Sequence, residues 1–308
     1  MKRQLMTMCL LAATILFSCH LSAQEMLVGT YNIRNKNDGD SIRGERWSKR
    51  CQVICDQMNF MSPAIFGTQE VLHTQLQDML HGLRNYGTIG VGRDDGNTKG
   101  EYSAIFYDKG RLRLLDHGDF WLSETPDRPT LGWDAACIRI CTWGKFKDLQ
   151  SGRKFYFFNL HMDHVGRVAR REGARLVVSK IREIAGKKPV VLTGDFNVDQ
   201  TDEIYSIFTE SGILKDSYAA APVRFAENGT FNDFKPQLKT SSRIDHVFVS
   251  PSIHVEGYGV LTDSYWTPRT DSANTQKAAD APQEISFGTY TRRNPSDHYP
   301  VMVRIKWK

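Results

Sequence analysis

Pro189-Val190-Val191-Leu192-Thr193-Gly194-Asp195-Phe196-Asn197 is an apolar run that ends in a carboxylate and an amide. An unbroken run of this kind reads as a strand buried on both faces, which requires a sheet covered on both sides. A carboxylate at the end of such a strand needs a cation or several donors to be tolerated. Working backward, residues 167–184 carry a helical pattern with basic residues on the wet side, Gly186 ends it and Pro189 opens the strand. Working forward, residues 201–210 read as a short helix, and 243–250, 255–261 and 299–307 as further strands. Toward the N-terminus, residues 26–33 are a strand and 46–60 a helix with Trp47, Val53, Ile54 and Met58 inward; Pro63 breaks it, and 64–67 form a short buried strand. Residues 73–83 are a second amphipathic helix, followed by strands at 86–91, 103–107, 112–122, 136–146 and 154–161. Many strands with helices in three places predict an α/β fold: two sheets packed face to face with helices outside. Residues 262–286 are polar and read as a long surface loop. No repeat, low-complexity tract or linker divides the chain.

At 308 residues, with 40% hydrophobic and 24% charged content, the chain has the make-up of a soluble globular protein. Residues 1–23 read as an export leader: Lys2 and Arg3, an apolar run from Leu10 to Phe17 too short to span a bilayer, and a small-residue site at Ser22-Ala23. Residues 24–308 then form one domain of an exported protein, periplasmic or secreted. Cys19 offers the alternative of a lipid anchor. Loss of Lys2 and Arg3 takes the net charge from +5 to +3, which supplies no basic tract for nucleic acid. No later segment reads as transmembrane, and a monomer is expected. Cys51 and Cys55 sit four apart in a helical pattern, Cys137 and Cys141 four apart in a strand pattern; they read as small buried side chains, with a disulfide between the pairs open.

A second stretch, Ser296-Asp297-His298-Tyr299-Pro300-Val301, sets a carboxylate beside an imidazole just before the last strand. Other polar residues stand at strand ends: Asn32, Glu70, Glu101, His161 with Asp163, and Asp245. Each alone has a bland reading as a turn residue, a helix-end charge or a solvated acid. Together, if the strands lie side by side, they collect on one rim. Crowded carboxylates repel, and a divalent cation resolves the conflict. Oxygen ligands favour Mg2+ or Mn2+ over zinc.

The order and spacing of Thr30-Tyr31-Asn32-Ile33-Arg34, Gln69-Glu70, Glu101 before Ser103-Ala104-Ile105-Phe106-Tyr107, Arg139, Asn159-Leu160-His161, Gly194-Asp195-Phe196-Asn197, Ile244-Asp245 and Ser296-Asp297-His298 resemble the endonuclease/exonuclease/phosphatase superfamily. The resemblance implies a four-layer α/β/β/α sandwich of two mixed sheets. It implies that Glu70 holds the metal with Asn32 beside it and Asp297 as a second acid. Asp195 and Asn197 would orient the attacking water and the phosphate. His298 would be the general base, near its free pKa and fixed by Asp245. His161 would contact a phosphate oxygen or the leaving oxygen, with Glu101 behind it, and Arg139 would clamp the phosphate.

The resemblance implies a phosphate-ester substrate. A phosphodiesterase or nuclease, with nucleic acid as partner, is the first reading. A phosphomonoesterase acting on a small phosphorylated sugar, inositol or lipid headgroup is the alternative, and a non-catalytic binding module is a third. Arg292-Arg293 are candidates to touch an anionic substrate, whereas Arg167, Arg170, Arg171 and Arg175 read as a solvated face. Trp121 and Trp266 are candidates for the rim of the site, while Trp133 and Trp143 fit core packing equally well.

Overall fold

The computed structural model describes residues 25–269, 280, 282, 284, 285 and 287–307. The predicted leader, including Cys19, lies outside them. The elements are β1 (Met26–Asn32), α1 (Asp38–Ile42), α2 (Trp47–Met61), β2 (Ile65–Gln69), α3 (His73–Gly82), β3 (Tyr86–Ile89), β4 (Ile105–Asp108), β5 (Leu112–Trp121), β6 (Ile140–Asp148), β7 (Lys154–His161), α4 (Arg167–Ala185), β8 (Val190–Asp195), α5 (Glu203–Thr209), β9 (Lys215–Asp216), α6 (Ser217–Ala220), β10 (Val223–Phe225), β11 (Asp245–Val249), β12 (Ile253–Val260), β13 (Tyr265–Pro268), β14 (Tyr290–Arg293) and β15 (Val301–Trp307). One sheet runs β10-β12-β15-β1-β2-β4-β3 and the other β5-β6-β7-β8-β11-β9. Both are mixed: β1 and β2 are parallel, as are β7 and β8, among otherwise largely antiparallel neighbours.

Alternation along single strands explains the layering. In β7, Phe155 and Phe157 enter one apolar cluster, with Val28, Val191, Val247 and Val303. Tyr156, Phe158 and Leu160 point the other way, into a cluster with Val177 and Ile181 of α4 and Phe208 of α5. On the far sheet, Tyr31, Phe66 and Phe106 pack against Trp47, Ile54 and Met58 of α2 and Met79 of α3. Three apolar clusters separate four layers, so the expected α/β/β/α sandwich is what forms.

Polar groups also join the sheets. Asn159 Nδ2 donates to the carbonyls of Thr68 (2.9 Å) and Ala104 (3.0 Å), and its Oδ1 accepts from Gln69 Nε2 (2.7 Å) and Thr193 Oγ1 (3.0 Å). The amide is fully used and fully buried, as buried polar groups must be. Gly67 permits this approach, because a Cβ there would lie 2.1 Å from Asn159 Oδ1.

Three expectations need correction. The strand expected over 136–146 begins only at Ile140, because the N–H groups of Ala136 and Cys137 donate to the Asp163 side chain instead of a neighbouring strand. Cys137 therefore does not share a strand face with Cys141, and all four described cysteines are free thiols. The stretch read as a loop from residue 262 holds β13, which pairs with β14 through Tyr265↔Arg293 and Pro268↔Tyr290. Among the described residues no helix is long and apolar enough to cross a membrane.

Candidate active site

Register brings the predicted residues together. In the second sheet Asp195 lies opposite His161 on one side and Asp245 on the other. In the first sheet Asn32 pairs with Gln69, which sets Glu70 one residue beyond the strand end. The ends of both parallel pairs meet at one rim and line a cavity of about 440 Å³. Glu70, Glu101, Arg139, His161, Asp195, Asn197, Asp297 and His298 all face it. Asn32 and Asp245 stand behind that wall, fully buried.

Asn32 is the hub. Its Nδ2 donates to Asp195 Oδ2 (3.0 Å) and Glu70 Oε1 (3.1 Å) and lies 3.4 Å from His298 Nε2. Glu70 and Asn197 both hold left-handed backbone, at φ 61° and 50°. For residues with a Cβ this costs on the order of 1–3 kcal/mol each, sustained only where surrounding contacts enforce it. Those contacts are present: Asn35 N donates to Glu70 Oε2 (3.1 Å), and Asn197 N donates to Asp195 Oδ1 (3.0 Å).

His298 Nδ1 bonds Asp245 Oδ2 at 2.8 Å, and its Nε2 lies 3.7 Å from Asp195 Oδ2. Burial disfavours the charged ring, but Asp245 and then Asp195 outweigh it and hold His298 well above the ordinary imidazole value. Burial and then Asp245 push Asp195 up to about 7. His161 goes the other way: burial, then the charges of Arg139 and Arg93, keep it well below the usual range and so neutral.

Glu101 is not behind His161. Its carboxylate accepts from Asn35 Nδ2 (3.0 Å) and pairs with Arg93, while the buried Nδ1 of His161 has no hydrogen-bond partner. Arg139 is placed as expected on the cavity wall. Its Nε donates to Asp163 Oδ2 (3.3 Å) and its Nη2 meets His164 Nδ1 (3.0 Å). Arg292 and Arg293 do not reach the cavity, because Arg292 donates to Ser264 and Arg293 pairs with Glu45. The tryptophans do not line it either; its aromatic walls are Phe231, edge-on to His298 at 5.0 Å, and Phe234. Residues the sequence reading left aside also line it: Arg34, Asn35, Arg43, Arg93 and His164.

Asp163 is an anchor. Besides Arg139, it accepts from the N–H groups of Ala136, Cys137, Val165 and Gly166. Burial opposes the charged form, yet these backbone donors, led by Gly166, and Arg139 bring the carboxyl down to about 2. A folded value below the unfolded one stabilises the protein fully above about pH 4 and is lost as pH falls toward 2. We expect Asp163→Asn to cost about 2 kcal/mol at pH 6, from weakened charge-assisted bonds. Urea unfolding should show that gap narrowing by pH 2.5, and a gap that does not narrow contradicts an anionic anchor.

The donor set suits a hard divalent cation. The carboxylates of Glu70 and Asp297 face the cavity, and Asp297 is raised by burial and by Glu70, which is the repulsion a cation relieves. Asp195, Asp245 and His298 offer a second set, with ligand atoms within 4.8 Å of one another. There His298 Nδ1 and Asp245 already bond each other, so that set is better suited to moving a proton. A third cluster, Cys137, Asp163 and His164, is spent on Asp163's own hydrogen bonds.

The Endonuclease/Exonuclease/phosphatase family matches residues 29–298. Among solved structures, a Bacteroides thetaiotaomicron mannosyl-6-phosphatase is 49% identical, with 92% of this chain and 100% of that chain covered and a TM-score of 0.84. A family member from the same organism is 48% identical, with 93% and 99% covered and a TM-score of 0.86. Nocturnin of Drosophila melanogaster is 23% identical over 273 residues, which are 83% of this chain and 41% of Nocturnin. The chain spans less than two thirds of the length of the curated relatives it matches: 41%, 31% and 60%. With the match running from β1 to His298, over most of the chain, the chain belongs to the endonuclease/exonuclease/phosphatase family.

Proposed function

We propose that this protein is a metal-assisted phosphomonoesterase acting on a small phosphorylated sugar. The observation that carries the reading is the convergence of four guanidinium groups, Arg34, Arg43, Arg93 and Arg139, on a cavity of about 440 Å³ faced by His298 with Asp245 behind it. Small-ligand sites run from about 300 to 1,000 Å³. A terminal phosphate carries more charge than a diester and profits more from guanidinium donors and from a divalent ion that offsets the carboxylates beside them, Glu70, Glu101, Asp195, Asp233 and Asp297. No basic track leads away along α4: Arg167 pairs with Glu203, and Arg171 and Arg175 with Glu172. The phosphatase activity named for the 49%-identical structure supports the same class. Diester cleavage, placed first on sequence alone, uses the same centre. Export by residues 1–23 remains part of the proposal, with Cys19 as the alternative anchor.

In this reading a divalent cation held by Glu70 and Asp297 would polarise a phosphoryl oxygen and, by its charge, lower the proton affinity of His298. His298 Nε2 takes a proton from the attacking water while Asp245 on Nδ1 fixes the ring and balances its charge. Asp195 and Asn197 orient the water and the phosphoryl group. The neutral ring of His161 hydrogen-bonds a phosphoryl oxygen, and Arg139, braced by Asp163 and His164, clamps another. The water oxygen forms the new bond to phosphorus as the phosphorus–ester oxygen bond breaks, and the departing alkoxide takes a proton from solvent.

Mature protein with Mg2+ should be offered mannose 6-phosphate, p-nitrophenyl phosphate, bis(p-nitrophenyl) phosphate and plasmid DNA. We expect the sugar phosphate to exceed the diester by at least about 100-fold in kcat/KM, as a site built on charge pairing discriminates. Faster cleavage of the diester and DNA reverses the assignment to the nuclease reading.

A further inference from the structure

Arg34 has a placement that the catalytic roles above do not use. It sits two residues beyond Asn32 in left-handed backbone, φ 58°. That conformation is held from three sides. Its N–H donates to Asn32 Oδ1 (3.0 Å), and its carbonyl accepts from Gln75 Nε2 (3.0 Å) and Arg50 Nη2 (3.2 Å). Backbone so constrained fixes where the side chain leaves the chain. The Nε then donates to Asp40 Oδ2 at 2.8 Å, and Asp40 is buried and tied to Asn37 and Arg43. Beyond that hinge, Nη1 reaches 3.4 Å from Asp297 Oδ2 and 3.9 Å from Glu70 Oε2.

These are the two carboxylates assigned to the divalent ion. The other cavity guanidiniums are each braced by a carboxylate other than these two: Arg93 by Glu101, Arg139 by Asp163, Arg43 by Asp40. Arg34 is about one-third exposed along its side chain, so its outer edge borders the cavity. A guanidinium carries its charge at every working pH and presents several donors in a fixed fork.

We infer that Arg34 is the built-in second cation of this centre. It offsets Glu70 and Asp297 before a divalent ion binds, presents its free edge to the substrate phosphate afterwards, and so leaves the centre needing one divalent ion rather than two. The inference deepens the proposed function and rests on Glu70 holding the metal. Two consequences follow from Coulomb's law at short range in a partly shielded site. Arg34 competes with the metal for the carboxylates, so its removal tightens metal binding. It also attracts a dianion, so its removal weakens phosphate binding.

The test is calorimetric titration of the mature protein with Mn2+, then with inorganic phosphate at saturating Mn2+, for wild type, R34M, R34K and E70Q. Wild type is expected to take one equivalent of Mn2+. R34M should bind Mn2+ about tenfold more tightly and phosphate about tenfold more weakly, the scale of one charge removed at this distance and exposure. R34K keeps the charge and loses the fork, so Mn2+ affinity should stay within about twofold while phosphate binding still falls. If R34M does not fold, R34K carries the comparison, and unchanged phosphate affinity there overturns the inference. It is also overturned if wild type binds two Mn2+ with equal affinity, or if R34M matches wild type in both titrations while E70Q loses Mn2+. If E70Q binds Mn2+ as wild type does, the metal assignment fails first and the role of Arg34 falls with it.

Discussion

His298→Ala is expected to lower kcat/KM by about 10³-fold, the scale of removing a positioned general base. In the proposed mechanism the ring accepts the proton at Nε2, and it is held at Nδ1 by Asp245 at 2.8 Å. The substitution also strands Asp245, a fully buried carboxylate, so some stability is lost with the activity. A loss of about 2 kcal/mol is the expected scale for an uncompensated hydrogen-bonded charge, and thermal melts should still show one cooperative transition. Asp195→Asn separates the two effects. It removes a charge from a crowded site, so stability should hold or rise while activity falls by about 10²-fold or more. The pH profile carries the sign. Asp245 and Asp195 raise the proton affinity of His298, so the free base grows in as pH rises. Asp245→Asn removes the larger of these influences and moves the acid limb of kcat/KM to lower pH. A folded His298→Ala protein turning over substrate at the wild-type rate would remove the base from the mechanism.

Glu70→Gln, or chelation of the wild type with EDTA, is expected to abolish turnover to a similar degree. Its strained backbone, its bond from Asn32 and its bond from Asn35 aim the carboxylate at the cavity. A cation that binds only the folded state adds about 2.7 kcal/mol at one hundred times its dissociation constant, a shift of a few degrees in melting temperature. Millimolar Mg2+ or Mn2+ should restore EDTA-treated wild type and raise its melting temperature, and should do neither for Glu70→Gln. Restoration of Glu70→Gln to full rate by the same metal would place the ion on other ligands.

The sandwich was legible because its central strands are nearly uniform apolar runs. The pattern from Phe155 to Leu160 and from Val190 to Leu192 leaves few options other than burial on both faces. The rim was legible because carboxylates and histidines at the ends of such runs are costly without a function. What remained hidden depends on contacts far apart in sequence. Glu101 pairs with Arg93 and Asn35, a choice settled by how the loop before β4 folds back. Asp163 draws the N–H groups of residues 136 and 137 out of a strand, and no local pattern announces that. Arg34 sits inside a quoted motif, yet its left-handed backbone and its reach to Asp297 exist only in three dimensions. The high proton affinity of His298 likewise needs both Asp245 and Asp195: register sets those two carboxylates opposite each other, and the turn before β15 brings the ring to them. β13 escaped notice because Tyr265-Trp266-Thr267 is short and its partner begins only at Tyr290.

Anomalous scattering from a Mn2+-soaked crystal of the mature protein tests the centre most directly. One strong peak is expected within coordination distance of Glu70 and Asp297, bordering the cavity that His298 and Asp195 face. A fully active protein with no peak there, or with its peak away from Glu70, would contradict that placement.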